Sequence, residues 1–262
     1  MIEGIVVWIE AFSKGNLFIA ALLAGSICLF LTSIGSLPAI FGRKITDKMI
    51  DVGLGFSAGV MLVAGFTSLI LPGIEVGGIG LVVLGFLLGS LTIYTIDRLI
   101  PHEHIIKGYE GPSYLRRRIK AVWLLVFAII IHNIPEGLAV GAAITYSIRY
   151  GVLMAIAIGI QDIPEGLAIA VPLVGVGLRT RTAIGITFLS GLIELVTAVL
   201  PVFVISLSNT LLPVILGFAG GAMIYVVSHE VIPETHRHGY EEEATLGFIT
   251  GFIIMLILDT LL

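Results

Sequence analysis

Apolar residues in this chain come in long unbroken blocks, separated by short polar stretches. Eight blocks lie near 16–41, 51–72, 77–98, 119–147, 151–176, 182–207, 211–232 and 244–262. Each approaches or exceeds the roughly 20 apolar residues that a helix needs to cross a bilayer core. The blocks are continuous rather than alternating, which predicts helices and excludes a membrane β-barrel. The fourth to sixth are long enough to tilt or to carry a break. Ahead of them, MIEGIVVWIEAF carries Glu3 and Glu10 without a basic start. That pattern predicts a short interfacial helix rather than a cleaved leader. The one sizeable loop, 99–118, is too short for a domain, so residues 1–262 are expected to form a single transmembrane unit.

The basic residues fix an orientation. Twelve of the 14 Lys and Arg residues flank the loops after spans one, three, five and seven, among them Arg43, Lys48, Arg98, Arg116, Arg179 and Arg237. Only Lys14 and Arg149 fall on the other side. Because Lys and Arg collect in cytoplasmic loops, this split predicts a cell-membrane protein with both termini outside. It also favours an even number of spans, since an odd number would break the segregation.

Composition strengthens this reading. Hydrophobic residues make up 57% of the chain and charged residues 12%, against about 25% charged in ordinary soluble domains. Mean hydropathy is +1.10. A soluble globule could not cover that much apolar surface, so soluble enzymes, nucleic-acid binders and disordered chains are excluded. The expected partners are the lipid bilayer and whatever crosses it. The net charge of −4 is spread over loops and implies no polyanion partner. The single cysteine, Cys28, reads as a small packing residue.

Ionisable groups within a membrane are costly and mark function. Span four contains HNIPEGLAVG, with His132, Asn133 and Glu136; span five contains QDIPEGLAIA, with Gln161, Asp162 and Glu165. The IPEGLA core recurs at an offset of 29 residues, from Glu136 to Glu165. Consecutive spans run in opposite directions, so the two copies predict an inverted repeat whose broken helices meet near the midplane. His132 and Glu136 stand at i and i+4, as do Gln161 and Glu165, and each pair projects from one helix face. Asn133 and Asp162 lie about 100° round the same helices and reach a second, adjacent position. Pro135 and Pro164 each free a carbonyl four residues earlier, at Ile131 and Ile160. Carboxylates gathered in a low dielectric repel unless a cation lies between them. Glu194 in span six and Met61 in span two fall at comparable depth and extend the cluster. Imidazole, amide and carboxylate donors suit Zn(II), Fe(II), Mn(II) or Cd(II).

At HNIPEG and QDIPEG the sequence resembles the ZIP (Zrt-/Irt-like) family of divalent-metal transporters, in its prokaryotic GufA-like branch. The resemblance extends over the whole chain and includes HEVIPETHRHG at the end of span seven. It implies an all-α bundle of eight transmembrane helices in a 3+2+3 inverted-repeat arrangement, with a binuclear site midway, and a homodimer. One metal position would use Met61, His132, Glu136, Gln161 and Glu165; the other would use Asn133, Asp162 and Glu194, with Glu136 and Glu165 bridging. Glu75 and Asp259 would capture the ion outside, and Asp51, Asp97, His102, His104, His229 and Glu230 would release it to the cytoplasm. His236 and His238 read as plain loop residues.

The expected function is therefore a secondary transporter that imports Zn(II), with Cd(II), Fe(II) or Mn(II) as possible replacements, by alternating access. No GxxxxGK[ST] phosphate loop is present to couple nucleotide hydrolysis. An intramembrane HExxH metalloprotease fails because Pro233 stands where the second histidine after His229 should be. A passive metal channel on the same scaffold, and a sensor that binds without transporting, stay open at this point.

Overall fold

A computed structural model describes residues 2–44, 46–99 and 113–260. Among the described residues every regular element is helical. Helix α1 (Ile2–Ser13) buries Val6 and Ile9 and exposes a stacked Trp8–Phe12 pair, which suits the interfacial helix expected there. The longer elements are α2 (Leu17–Gly35), α3 (Asp47–Gly65), α5 (Ile79–Leu99), α6 (Ser113–Tyr146), α7 (Ile148–Gly175), α8 (Thr180–Leu207), α9 (Leu212–Val226) and α11 (Glu241–Asp259). Short α4 (Leu71–Gly77) continues α3, and short α10 (Ile232–Thr235) continues α9.

Among the described residues six stretches are long and apolar enough to cross a membrane: Leu17–Ile40, Asp47–Gly77, Ile79–Ile96, Ile148–Gly175, Thr180–Leu207 and Asn209–Thr235. Large apolar side chains such as Phe30, Leu87, Leu91 and Phe203 stand exposed on the outer faces. The buried polar residues, including Glu136, Asp162 and Glu194, sit inside. This arrangement, apolar outside and polar at the centre, is that of a multi-pass membrane protein.

Several boundaries depart from the hydropathy blocks. The first α-helix closes at Gly35, short of residue 41, and a 3₁₀ segment Leu37–Lys44 follows. Pro38 explains the change, because the residue before a proline is pushed out of the α conformation. In the other direction, α6 begins at Ser113 and carries the basic run 116–118 within the helix.

The expected breaks in spans four and five do not occur: α6 runs through Pro135 and α7 through Pro164 as single helices. The irregular turns lie instead at Phe66–Ile70 and Val227–Val231, each a π segment followed two residues later by a proline, Pro72 or Pro233. A proline cannot donate to the carbonyl one turn back, and widening that turn absorbs the mismatch.

Packing has a two-fold pattern. Helix α3 packs against α11 as α9 does against α5, and α2 against α7 as α8 does against α6. Close approach depends on glycine. A Cβ on Gly55 or Gly59 would collide with backbone of Ala244 or Phe248 on α11, and one on Gly53 would meet Pro164. These small residues therefore serve contacts within this chain.

Candidate metal centre

The two IPEG segments place their polar residues where α6 and α7 face each other. His132, Asn133, Glu136, Gln161, Asp162, Glu165 and Glu194 are all at most 3% exposed. Each IPEG glycine also admits a neighbouring helix. A side chain on Gly137 would strike the Glu194 carbonyl and the Thr197 hydroxyl on α8, and one on Gly166 would strike the Thr32 carbonyl on α2. Those two approaches draw Glu194 and Cys28 toward the α6–α7 cluster.

Within the cluster, ligand atoms of Glu136, Asp162 and Glu165 all lie within 4.8 Å of one another. A second group, Cys28, Asp162 and Glu194, meets the same 4.8 Å limit. Asp162 is thus common to both. The Gln161 side-chain amide donates to Glu136 across the helix pair and to Asp162 Oδ1 at 2.9 Å, linking α6 to α7 through one group. From α3, the Ser57 hydroxyl donates to the Gln161 carbonyl at 2.8 Å.

Many acceptors are left without hydrogen bonds. Glu136 Oε2, Asp162 Oδ2, both oxygens of Glu165, both of Glu194, Asn133 Oδ1 and Gln161 Oε1 are buried with no partner. No Lys or Arg occurs among the buried residues described. Buried carboxylates normally require pairing or a metal. Among the described residues no Lys or Arg pairs with them, and the arrangement is one that could hold a divalent cation.

The chain matches the family described as ZIP zinc transporter over residues 103–259, more than half its length. It is 44% identical over 255 residues to the zinc transporter ZIPB of Bordetella bronchiseptica, covering 92% of this chain and 81% of that one. It is 40% identical over 251 residues to the zinc transporter GufA of Myxococcus xanthus, covering 92% and 96%. The human zinc transporter ZIP11 is 32% identical over 330 residues, with 91% and 96% covered. The chain belongs to the ZIP family. It is of the prokaryotic GufA-like type, and as a member of a transporter family it is not an enzyme.

In this ZIP chain the remaining sequence-derived residues are distributed as follows. Met61 is fully buried in the main core, on the α3 face that also buries Ala58. His132 turns toward the far end of α9: its Nε2 is 2.9 Å from Glu230 Oε2 in the π segment Val227–Val231. In that geometry its imidazole is a close neighbour of the Glu230 carboxylate. Neighbouring His229 is exposed, with its ring against Tyr225 at 5.2 Å between centroids.

Asp51, fully buried on α3, has Oδ1 2.9 Å from His238 Nδ1. At the opposite end, Ser68 in the other π segment donates to Asp259 Oδ1 at 2.7 Å. Glu75 is exposed on α4. Asp97 lies on α5. His102 and His104 lie outside the described residues.

Two residues escaped the sequence reading. Cys28, which the sequence alone presents as a packing residue, stands beside Asp162 and Glu194. His238, which the sequence alone presents as a plain loop residue, closes on Asp51. A lone mid-span thiol among small residues, and a histidine in HRHG, were the available signals; neither carries a spacing that names its partner.

Proposed function

We propose that this ZIP chain imports Zn(II) into the cytoplasm, accepting Cd(II), Fe(II) or Mn(II) in its place, through a binuclear site at the membrane midplane. The observation that carries this reading is the set of four buried carboxylates, Glu136, Asp162, Glu165 and Glu194, which have unpaired oxygens and no buried basic side chain beside them among the described residues. The naming of similar proteins as zinc transporters supports the choice of metal.

Eight membrane-spanning helices, with α6 and α11 added to the six apolar stretches, form the 3+2+3 bundle of this reading. The matched packing pairs and the two equivalent π segments support it. With odd-numbered loops in the cytoplasm, both termini face outward and the protein resides in the cell membrane. The ion enters past Glu75 and Asp259, resides among Met61, His132, Asn133, Glu136, Gln161, Asp162, Glu165 and Glu194, and leaves past His229, Glu230, Asp51, Asp97, His102 and His104.

Alternating access follows from one helix group moving against the other about the fixed site. His132 belongs to both the site and the exit: it stands one turn before Glu136 and is paired with Glu230. An ion bound at the cluster displaces it from Glu230, and its return helps to empty the site. Purified protein should bind two zinc ions per chain at saturation, and zinc entry into sealed vesicles should saturate and be slowed by Cd(II). A single bound ion, or flux that rises linearly without saturation, would contradict a binuclear carrier.

A further inference from the structure

The geometry points to Cys28 as a sulfur ligand of the metal position formed with Asp162 and Glu194, where it biases this ZIP site toward soft, thiophilic cations. This rests on the transport reading above and adds a residue to its site. Three helices converge there, α2 bringing Cys28, α7 Asp162 and α8 Glu194, and their ligand atoms lie mutually within 4.8 Å. All three residues are buried. Neither oxygen of Glu194 nor Oδ2 of Asp162 makes a hydrogen bond. The thiol makes a 3.4 Å contact to the Ala155 carbonyl, a weak bond that an incoming metal can replace.

The packing of α2 on α8 gives an independent reason. A Cβ on Gly25 would lie 3.0 Å from Leu195 Cα and 3.2 Å from Ala198 Cβ. Reciprocally, one on Gly191 would lie 3.1 Å from Leu29 Cα and 3.2 Å from Thr32 Cβ. The exchange pairs Gly25 with Gly191, Leu29 with Leu195 and Thr32 with Ala198, a constant register between the two helices. By the same register Cys28 is the counterpart of Glu194. The local two-fold relation therefore sets a thiol opposite a carboxylate, at the same level, around one position.

Thiolate selects softer ions than carboxylate does. A position with one sulfur and two carboxylate donors favours Cd(II) and Zn(II) over Mn(II), whereas carboxylates and amides alone discriminate less. Binding replaces the S–H proton by the metal–sulfur bond, and the proton is released to solvent.

The chain has one cysteine, so any sulfur-to-cadmium charge-transfer absorption in the ultraviolet arises from Cys28. Detergent-purified full-length protein would be titrated with Cd(II) alone, with bound cadmium counted in the same samples. The wild type should develop the band as cadmium binds. Cys28→Ala and Cys28→Ser should lack it while still binding cadmium at the α6–α7 carboxylates, and both should prefer Cd(II) over Mn(II) less strongly in competition. Glu194→Ala should weaken the band, because the thiol alone is a poor site. Cadmium bound to the wild type without the band would overturn the sulfur ligand while leaving the transport site intact. A band undiminished in Glu194→Ala would place the bound ion elsewhere and overturn it as well. Failure of the wild type to bind cadmium at all would remove both this ligand and the reading on which it rests.

Discussion

His132 Nε2 sits 2.9 Å from Glu230 Oε2, joining the helix that carries Glu136 to the π segment Val227–Val231. The histidine is almost fully buried, and Glu230 is only slightly less so. A contact this short between an imidazole nitrogen and a carboxylate in a low-dielectric interior is enough to bias the side chain between two partners. Glu230→Gln should therefore slow zinc flux by roughly tenfold, the equivalent of ~1.4 kcal/mol, without changing the number of zinc ions bound at equilibrium. Vesicle uptake compared with bound-metal analysis checks this. A loss of bound zinc would mean that Glu230 belongs to the site itself.

Asp162 contributes to both groups of ligands, and Glu194 to one. Asp162→Asn keeps the side-chain volume but removes a charge that either ion would use. It should abolish high-affinity binding at both positions, whereas Glu194→Gln should leave one zinc ion bound. Equilibrium zinc counts on the two purified variants distinguish them. Equal counts would show that the two groups are not separate positions.

Glycine at 137 is a packing requirement, and its cost can be measured. A Cβ there would overlap the Glu194 carbonyl and the Thr197 hydroxyl, whereas a Cβ on Gly185 in the same bundle would meet nothing within 4 Å. Gly185→Ala should be neutral or stabilising by about 0.5–1 kcal/mol through helix propensity. Gly137→Ala should be destabilising by about 1–3 kcal/mol, the usual penalty of overpacking. Thermal unfolding in detergent reads both, and a stabilised Gly137→Ala would show that α6 and α8 do not meet there.

Lys48 Nζ and Glu243 Oε1 lie 2.7 Å apart and tie the start of α3 to the start of α11 outside the membrane core. The lysine holds the Glu243 carboxyl below its ordinary value. A depressed carboxylate stabilises the folded state above the unfolded carboxylate range and loses that contribution as pH falls through the folded value. Both partners are solvent-exposed, so salt screens the pair. Lys48→Ala should slightly lower Tm at neutral pH in low salt, and the difference should vanish in acid or at high ionic strength. A difference that persists in acid would assign the effect to lost packing.

Much of this was legible in sequence because membrane helices obey strong local constraints. A polar residue in an apolar block marks itself, and i, i+4 spacing assigns its face, so the buried cluster of His132, Asn133, Glu136, Gln161, Asp162 and Glu165 followed directly. Less legible were features set by neighbours in space. The π segments at Phe66–Ile70 and Val227–Val231 read as uninterrupted apolar blocks. Pro135 and Pro164 signalled breaks, yet both helices run on through them. Cys28 gained its setting only when α2 closed against α8, and His238 when the α10–α11 turn folded back over Asp51.

The most direct test of the account is zinc entry into proteoliposomes loaded with a zinc-sensitive dye, comparing wild type with Glu136→Ala and Asn133→Ala. Glu136 belongs to the buried three-carboxylate group, so its loss removes both a ligand and compensating charge. Saturable influx in wild type, abolished in Glu136→Ala and reduced less in Asn133→Ala, is the predicted result. Near-wild-type influx in both folded variants would contradict passage of the metal through the α6–α7 site.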